Sequence, residues 1–139
     1  MRIAVVLATA LLLAACSVVP GERPPLRVAN GTTLKVALLV NGQVVGTFGP
    51  GEGTPADGFE GALPPLPWTV VATTSTGRVL ATMTVNPGDV SMSESGGHAS
   101  ARGRLARLDL SCGRLDVWAG GPQPLGPAPG PGAPGDCVP

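Results

Sequence analysis

Short runs of alternating apolar and polar residues, separated by glycine and proline, dominate the chain after residue 25. The clearest runs are residues 34–40 and residues 43–48, which flank the dipeptide Asn41-Gly42. Asn-Gly favours the positive φ angles of a type I′ turn, and alternation with a period of two is typical of a half-buried strand. The pattern therefore predicts a β-hairpin.

The two-residue turn also predicts the register of this hairpin. Leu38 would face Val45, and Val36 would face Thr47, because antiparallel partners are counted outward from the turn. Side chains two residues apart point to the same side of a strand. The predicted core face consists of Leu34, Val36, Leu38, Val40 and Val45.

Two further hairpins are predicted downstream. Residues 68–74 and 78–85 are rich in β-branched side chains and are joined by Ser-Thr-Gly. Residues 105–112 alternate in the same way and return as residues 114–118, which places a tight turn at Cys112-Gly113. Residues 26–30 add a first strand that ends at a turn at Asn30-Gly31.

Six or seven such strands, with frequent turns, predict an all-β fold. The arrangement is similar in general architecture to immunoglobulin-like domains, which implies a small antiparallel sandwich spanning residues 26–118. The cysteine and tryptophan spacing of that family is missing. An open barrel built from the same strands is the alternative fold.

Three stretches lie outside these strands. Residues 49–67 contain Leu-Pro-Pro-Leu-Pro and predict a stiff connection between sheets, with a docking ligand for an aromatic groove as the alternative. Residues 91–103 are rich in serine and glycine and predict a mobile loop. Residues 119–139 are mostly glycine, proline and small residues, which indicates an extended tail on the surface.

Composition removes several classes of protein. Nine Lys+Arg balance nine Asp+Glu, so net charge gives no reason to expect nucleic acid or an anionic membrane surface as a partner. Only 13% of residues are charged, while the chain has 21 glycines and 16 prolines, which disfavours long amphipathic helices. A chain of 139 residues suits one compact domain.

The N-terminus has the pattern of an export signal. Arg2 precedes an apolar run over residues 3–13, and two small residues, Ala14 and Ala15, lead into Cys16. The run is too short for a membrane-spanning helix, which needs about 20 residues, so we expect residues 1–15 to be removed. An ordinary signal peptide with an unmodified Cys16 is the alternative.

The ending Leu13-Ala14-Ala15-Cys16 resembles the lipobox of bacterial lipoproteins. The resemblance implies a lipid on the thiol of Cys16, an anchor in the cell membrane or outer membrane, and an extracytoplasmic domain. Residues 16–25 contain three prolines and are expected to form a tether between the lipid and the domain. An envelope protein or cell-wall component would then be the natural kind of partner.

If Cys16 carries a lipid, two of the three cysteines remain. Cys112 and Cys137 then have one pairing available in an oxidising compartment, so we expect a disulfide that ties the tail to the domain. Such a loop closure stabilises a fold by roughly 3 to 4 kcal/mol. A metal or redox pair is the alternative, although the spacing is not C-x-x-C.

The chain offers few residues for a cofactor. His98 is its one histidine, and a soft metal site would need His98 together with Met83, Met92 and Cys112. That spacing matches no known motif, and Cys112 is expected in the disulfide. We therefore expect no metal, no cofactor and a solvated His98.

The sequence also contains few combinations of residues that could form a catalytic site. No G-x-S-x-G elbow occurs, and a Ser-His-acid set would depend on His98 in its loop. Asp109 and Asp116 could approach across the third hairpin as a general acid and base, but solvated charge on an outward face explains them more simply. The sequence predicts no catalytic residue and no enzyme.

Tryptophan supplies the remaining candidate surface. Trp68 is expected in the core, whereas Trp118 alternates with Asp116 and could equally be a core residue or a stacking platform for a ligand. Trp118 and His98 are thus the candidate binding residues. The sequence favours a non-catalytic binding or structural module on the envelope, with an exported ligand or metal carrier that uses the His98 loop as the alternative.

Overall fold

A computed structural model describes residues 23–59, 61–95, 98–122 and 125–139, with the side chains of residues 92–101 left out. The predicted signal peptide, Cys16 and the predicted tether as far as residue 22 lie outside the described residues. The strands are β1 (Leu26–Asn30), β2 (Val36–Val40), β3 (Gln43–Phe48), β4 (Trp68–Thr74), β5 (Val79–Val85), β6 (Ser91–Ser95), β7 (His98–Arg102), β8 (Arg104–Leu110) and β9 (Gly113–Ala119).

Seven of these strands form two antiparallel sheets. The first sheet has the order β1-β9-β8, and the second has the order β3-β2-β4-β5. The prediction of a small all-β antiparallel sandwich is confirmed. Among the described residues, no helix is long and apolar enough to span a membrane.

The core lies between the two sheets, where every second side chain of the strands is buried. A tryptophan, leucines and valines fill it, and each such side chain contributes roughly 1.5 to 3 kcal/mol when fully removed from water. The largest fully buried apolar residues are Trp68, Leu26, Leu38, Leu115, Val28, Val36, Val40, Val70, Val85 and Val117.

The first hairpin has the predicted turn and a different register. Asn41 and Gly42 adopt φ angles of 50° and 81°, as an Asn-Gly turn requires. Farther from the turn, a β-bulge shifts the register between Leu38 and Leu39. Leu38 therefore pairs with Gly46, and Val36 pairs with Phe48. The predicted pairs Leu38–Val45 and Val36–Thr47 are therefore wrong.

Burial of an aromatic ring explains the bulge. The extra residue places Phe48 beside Val36 on the core side, where the ring is buried. Val44 lies on the opposite face and is 63% exposed. The Phe48 ring offers more apolar area for burial than a valine does, so the shifted register is favoured.

The third hairpin turns one residue earlier than predicted. Leu110 pairs with Gly113, so the two-residue turn is Ser111-Cys112 instead of Cys112-Gly113. Gly113 has a φ of 130°, and a Cβ atom there would collide with the carbonyl oxygen of Gly31. The close approach of two backbones therefore requires glycine at the start of β9.

Residues 91–103 were predicted to be a mobile loop, and this prediction is wrong for the backbone. Strands β6 and β7 pair in an antiparallel ribbon, from Ser91 opposite Arg102 to Ser95 opposite His98. The ribbon connects β5 of the second sheet to β8 of the first. Serine and glycine content alone did not distinguish a two-stranded ribbon from a loop.

The connection from β3 to β4 runs along the free edge of β1. The N–H of Asn30 donates to the carbonyl of Glu52 at 2.8 Å, and the N–H of Phe59 donates to the carbonyl of Leu26 at 2.9 Å. Farther on, Leu63 is buried and Leu66 packs against the core. The leucines of Leu-Pro-Pro-Leu-Pro are thus used inside the fold, which removes the apolar groups of a docking ligand.

The two ends of the sandwich hold different parts of the chain. Leu26 and Arg104 pair with Ala119 from opposite sides of β9, so β1 and β8 start at the same end of the sandwich. We call this the tether end. At the other end, Arg78 donates to the carbonyl oxygens of Asp136 and Val138 at 2.6 and 2.7 Å. We call this the disulfide end, because Cys112 and Cys137 lie there.

Candidate functional site

Two arginine-aspartate pairs lie on the outward face of the β8–β9 hairpin. The Nε of Arg107 is 2.7 Å from Oδ1 of Asp116, and the Nε of Arg114 is 2.6 Å from Oδ1 of Asp109. The strand register makes these pairs direct cross-strand neighbours. Asp109 and Asp116 therefore each face an arginine, and they do not form a pair of carboxyl groups.

The charges of the Asp109 pair favour an ionised carboxylate. The hydrogen bond from Arg114 holds the pKa of Asp109 below its ordinary value of 3.8, against a smaller opposing effect of burial. A general acid needs a pKa raised toward the working pH instead. This geometry favours a structural ion pair over acid-base chemistry.

Asp116 is not the solvated charge that alternation predicted, because it is only 8% exposed. The C-terminal tail lies against this hairpin. Arg114 donates to the carbonyl oxygens of Pro127 and Ala128 at 2.5 and 3.1 Å, in addition to its bonds with Asp109. Backbone carbonyls of a proline-rich segment are good acceptors because they have no strand partner, so one guanidinium fixes both the hairpin and the tail.

The predicted disulfide is present at the end of this tail. Cys112 and Cys137 are bonded with a Cα–Cα distance of 5.9 Å. Asp136 strengthens the closure, since its carboxylate accepts from the N–H of Ser111 at 3.0 Å and also from the Ser111 hydroxyl. The hydrogen bond from the Ser111 hydroxyl is the main cause that lowers the pKa of Asp136.

The two tryptophans are both buried, and among the described residues only Trp68 has a hydrogen-bond partner for its indole N–H. The Nε1 of Trp68 donates to the carbonyl of Pro64 at 2.7 Å. Trp118 is 5% exposed, and its buried Nε1 has no partner in the described part of the chain. Its ring forms part of the walls of two shallow hollows, one beside residues 51–54 and one beside Leu105. It is not an open platform for stacking.

His98 is the first residue of β7 and pairs with Ser95, while its side chain lies outside the described part. Met92 belongs to the same ribbon, and Met83 is buried in the core. Cys112 is bonded to Cys137 at the disulfide end. Within the described ranges, no group of three His, Cys, Asp or Glu residues could hold a metal ion.

Two features were missed at the level of sequence. The buried side chain of Asn30 is a structural centre at the disulfide end, although the sequence predicted only a turn there. Arg23 and Arg102 line one hollow at the tether end. They are far apart along the chain, so no local spacing could have indicated their proximity.

No family model matches this chain, and neither the curated proteins nor the solved structures include a match to it.

Proposed function

We propose that this chain is an exported lipoprotein whose β-sandwich is a non-catalytic binding or structural module, held at the outer face of a membrane through Cys16. The proposal of a non-catalytic module rests on the charged side chains of β8 and β9, which bind one another and the C-terminal tail. Arg107 and Asp116 pair with each other, and Arg114 joins Asp109 to the tail. Groups engaged in this way stabilise a rigid surface and are poorly placed for proton transfer.

The disulfide supports an extracytoplasmic location. Structural disulfides persist mainly in oxidising compartments, and the Cys112–Cys137 bond closes 25 residues of sequence. This agrees with the lipobox-like ending at Cys16, which would direct export and lipid attachment. The proposal thus joins two independent features at opposite ends of the chain.

The ends of the sandwich support a defined presentation of the domain. Arg23, the first described residue, lies at the tether end, and Cys16 precedes it by seven positions. Seven extended residues reach at most about 25 Å. A lipid on Cys16 would therefore keep the tether end near the membrane and direct the disulfide end away from it.

The anchor is tested by Cys16→Ser in the native host, with membrane and soluble fractions compared by immunoblot. The wild-type chain should sediment with membranes, and the variant should appear in the soluble or secreted fraction. A Ser75→Ala variant is a suitable control, because Ser75 is exposed in the turn between β4 and β5 and the variant should still sediment with membranes. A Cys16→Ser chain that is still cleaved and still sediments with membranes like the wild type would overturn the anchor.

The binding role is tested by cross-linking in cells followed by mass spectrometry of what co-purifies with the mature domain. One reproducible envelope protein or cell-wall fragment supports a binding module. His98→Ala separates this role from the alternative of a ligand or metal carrier. Unchanged cross-links in the variant agree with a non-catalytic module, whereas loss of a bound metal or ligand would support the carrier.

A further inference from the structure

We propose that the hollow at the tether end binds the headgroup of an anionic phospholipid in the membrane that holds the anchor. This inference rests on the proposed lipid attachment at Cys16. It adds a second, reversible membrane contact that would fix the orientation of the sandwich.

The hollow combines apolar and cationic lining residues. Pro24, Pro25 and Val90 supply the apolar surface, and Arg23 and Arg102 supply the positive charges. The segment before β1 meets the base of the β6–β7 ribbon here, so two distant parts of the chain build one concave surface.

Gly120 allows the end of β9 to pack closely against Pro25 and Val90, two lining residues of the hollow. Gly120 has a φ of 66°, and its N–H donates to the carbonyl of Pro25 at 2.9 Å. A Cβ atom at this position would lie 2.9 Å from Cγ1 of Val90. The end of β9 can therefore approach both walls of the hollow only because residue 120 has no side chain.

The arginines of the hollow differ from the other arginines of the fold. Arg23 and Arg102 are exposed and make no hydrogen bond or ion pair with any residue in the described ranges. Elsewhere, Arg27 donates to the backbone carbonyl oxygens of Ala56 and Gly121. Arg104 donates to the backbone carbonyl oxygen of Thr84. Two guanidinium groups at one hollow are thus available to a ligand.

A phospholipid headgroup matches this combination of groups. Guanidinium groups bind phosphate oxygens through paired, charge-assisted hydrogen bonds. The glycerol carbons beside the phosphate are apolar enough to contact the two prolines and Val90. Asp89 is an acidic neighbour in the turn between β5 and β6. Its carboxylate lies 3.8 Å from Nε of Arg104, which partly offsets the negative charge.

The position of the hollow favours a lipid over other anions. Cys16 is seven residues before Arg23, so a lipid on its thiol would hold Arg23 within about 25 Å of the membrane. At that distance, the headgroups are the most concentrated phosphates that the hollow would meet. Basic residues near an anionic surface attract it by an amount that corresponds to about fivefold in affinity for each residue.

The test uses the mature chain from residue 16 with Cys16→Ser, so that no lipid anchor contributes to binding. The probe is dihexanoyl phosphatidylglycerol below its micelle concentration, and binding is followed by amide NMR shifts. We expect saturable shifts at Val90, Ser91 and Gly120. Arg23→Gln together with Arg102→Gln should weaken binding about 100-fold, because each lost charge-assisted hydrogen bond corresponds to about tenfold in affinity. The melting temperature should be unchanged, because neither side chain has a described partner.

Lys35→Gln is the matched control, since Lys35 is an exposed cation at the disulfide end. Its affinity for the probe should equal that of the parent chain. Equal affinity of the double arginine variant would overturn the proposal, as would equal binding of inorganic phosphate and the phospholipid. Because the assay needs no lipidation, its failure is distinct from a failure of the anchor, which the membrane fractionation of Cys16→Ser measures.

Discussion

The side-chain amide of Asn30 donates a hydrogen bond to the carbonyl oxygen of Leu34 at 2.8 Å, although Asn30 is only 1% exposed. The same nitrogen is 2.9 Å from the carbonyl oxygen of Gly49, and the side-chain oxygen accepts from the hydroxyl of Thr32 at 2.6 Å. One buried amide thereby joins the end of β1 to the segments that enter β2 and leave β3.

Replacing Asn30 should be among the more damaging single changes in the domain. Asn30→Ala leaves buried carbonyl and hydroxyl groups without partners, and we expect a loss of about 2 to 4 kcal/mol in the free energy of unfolding. Urea unfolding monitored by fluorescence measures it. Asn30→Asp should cost at least as much, because a carboxylate cannot donate to the two carbonyls. A loss below about 0.5 kcal/mol for both variants would contradict this role.

Asn30 also shows why sequence patterns gave the fold class and missed this centre. Asn-Gly at residues 30–31 is a common turn signal, and the chain does leave β1 there. The amide is buried because the segment that leaves β3 lies beside the segment that follows β1: Leu34 is four residues from Asn30, and Gly49 is nineteen. The turn signal at residues 30–31 contains no information on the approach of residue 49, so a turn was all that it could predict.

The two tryptophans form a natural pair for testing the value of one hydrogen bond. Trp68→Phe removes a similar volume to Trp118→Phe, but it also leaves the carbonyl of Pro64 without its donor. We expect Trp68→Phe to cost about 1 kcal/mol more in the free energy of unfolding than Trp118→Phe. Chemical denaturation of both variants measures the difference. An equal or larger cost at Trp118 would show that its N–H has a partner.

The disulfide should stabilise the whole domain in addition to fixing the tail. A double variant with Cys112→Ala and Cys137→Ala loses the closure of a loop of 25 residues. We expect a decrease of about 3 to 4 kcal/mol in the free energy of unfolding, together with faster proteolysis of residues 125–139. The parent chain with its disulfide reduced should behave like the double variant. Unchanged stability would mean that tail contacts such as Arg78 to Val138 suffice.

Acid should weaken the fold through the carboxylates of Asp109 on β8 and Asp136 in the tail. The folded-state pKa values of Asp109 and Asp136 lie below the ordinary value of 3.8. Their stabilising effect is thus complete above that value and is lost as the pH falls through the folded-state pKa. The urea midpoint should be lower at about pH 2 than at about pH 6.

Asp109→Asn identifies the source of this dependence. The variant should be less stable than the parent chain near neutral pH, and its urea midpoint should change less between the two pH values. Asp57→Asn is the control, because Asp57 is exposed and makes no hydrogen bond or ion pair with another described residue. A parallel dependence for Asp109→Asn and the parent chain would exclude the ion pair with Arg114 as a cause.

The candidate site was less predictable than the fold. Alternation correctly placed Asp109 and Asp116 on one face of β8 and β9, but it predicted solvent around both. The tail covers that face because Arg114 binds its carbonyl groups and Cys137 closes on Cys112. The β-bulge at the first hairpin has a similar origin, since burial of Phe48 changed a register that the turn alone would have fixed.

Intact-mass spectrometry of the protein purified from native membranes would test whether the sandwich is carried on a lipid at Cys16. We expect a chain that begins at Cys16 and bears a diacylglyceryl group. N-terminal acylation would add one further fatty-acid mass. A chain that begins at another residue, or one with an unmodified Cys16 thiol, would show that the proposed lipid anchor is wrong.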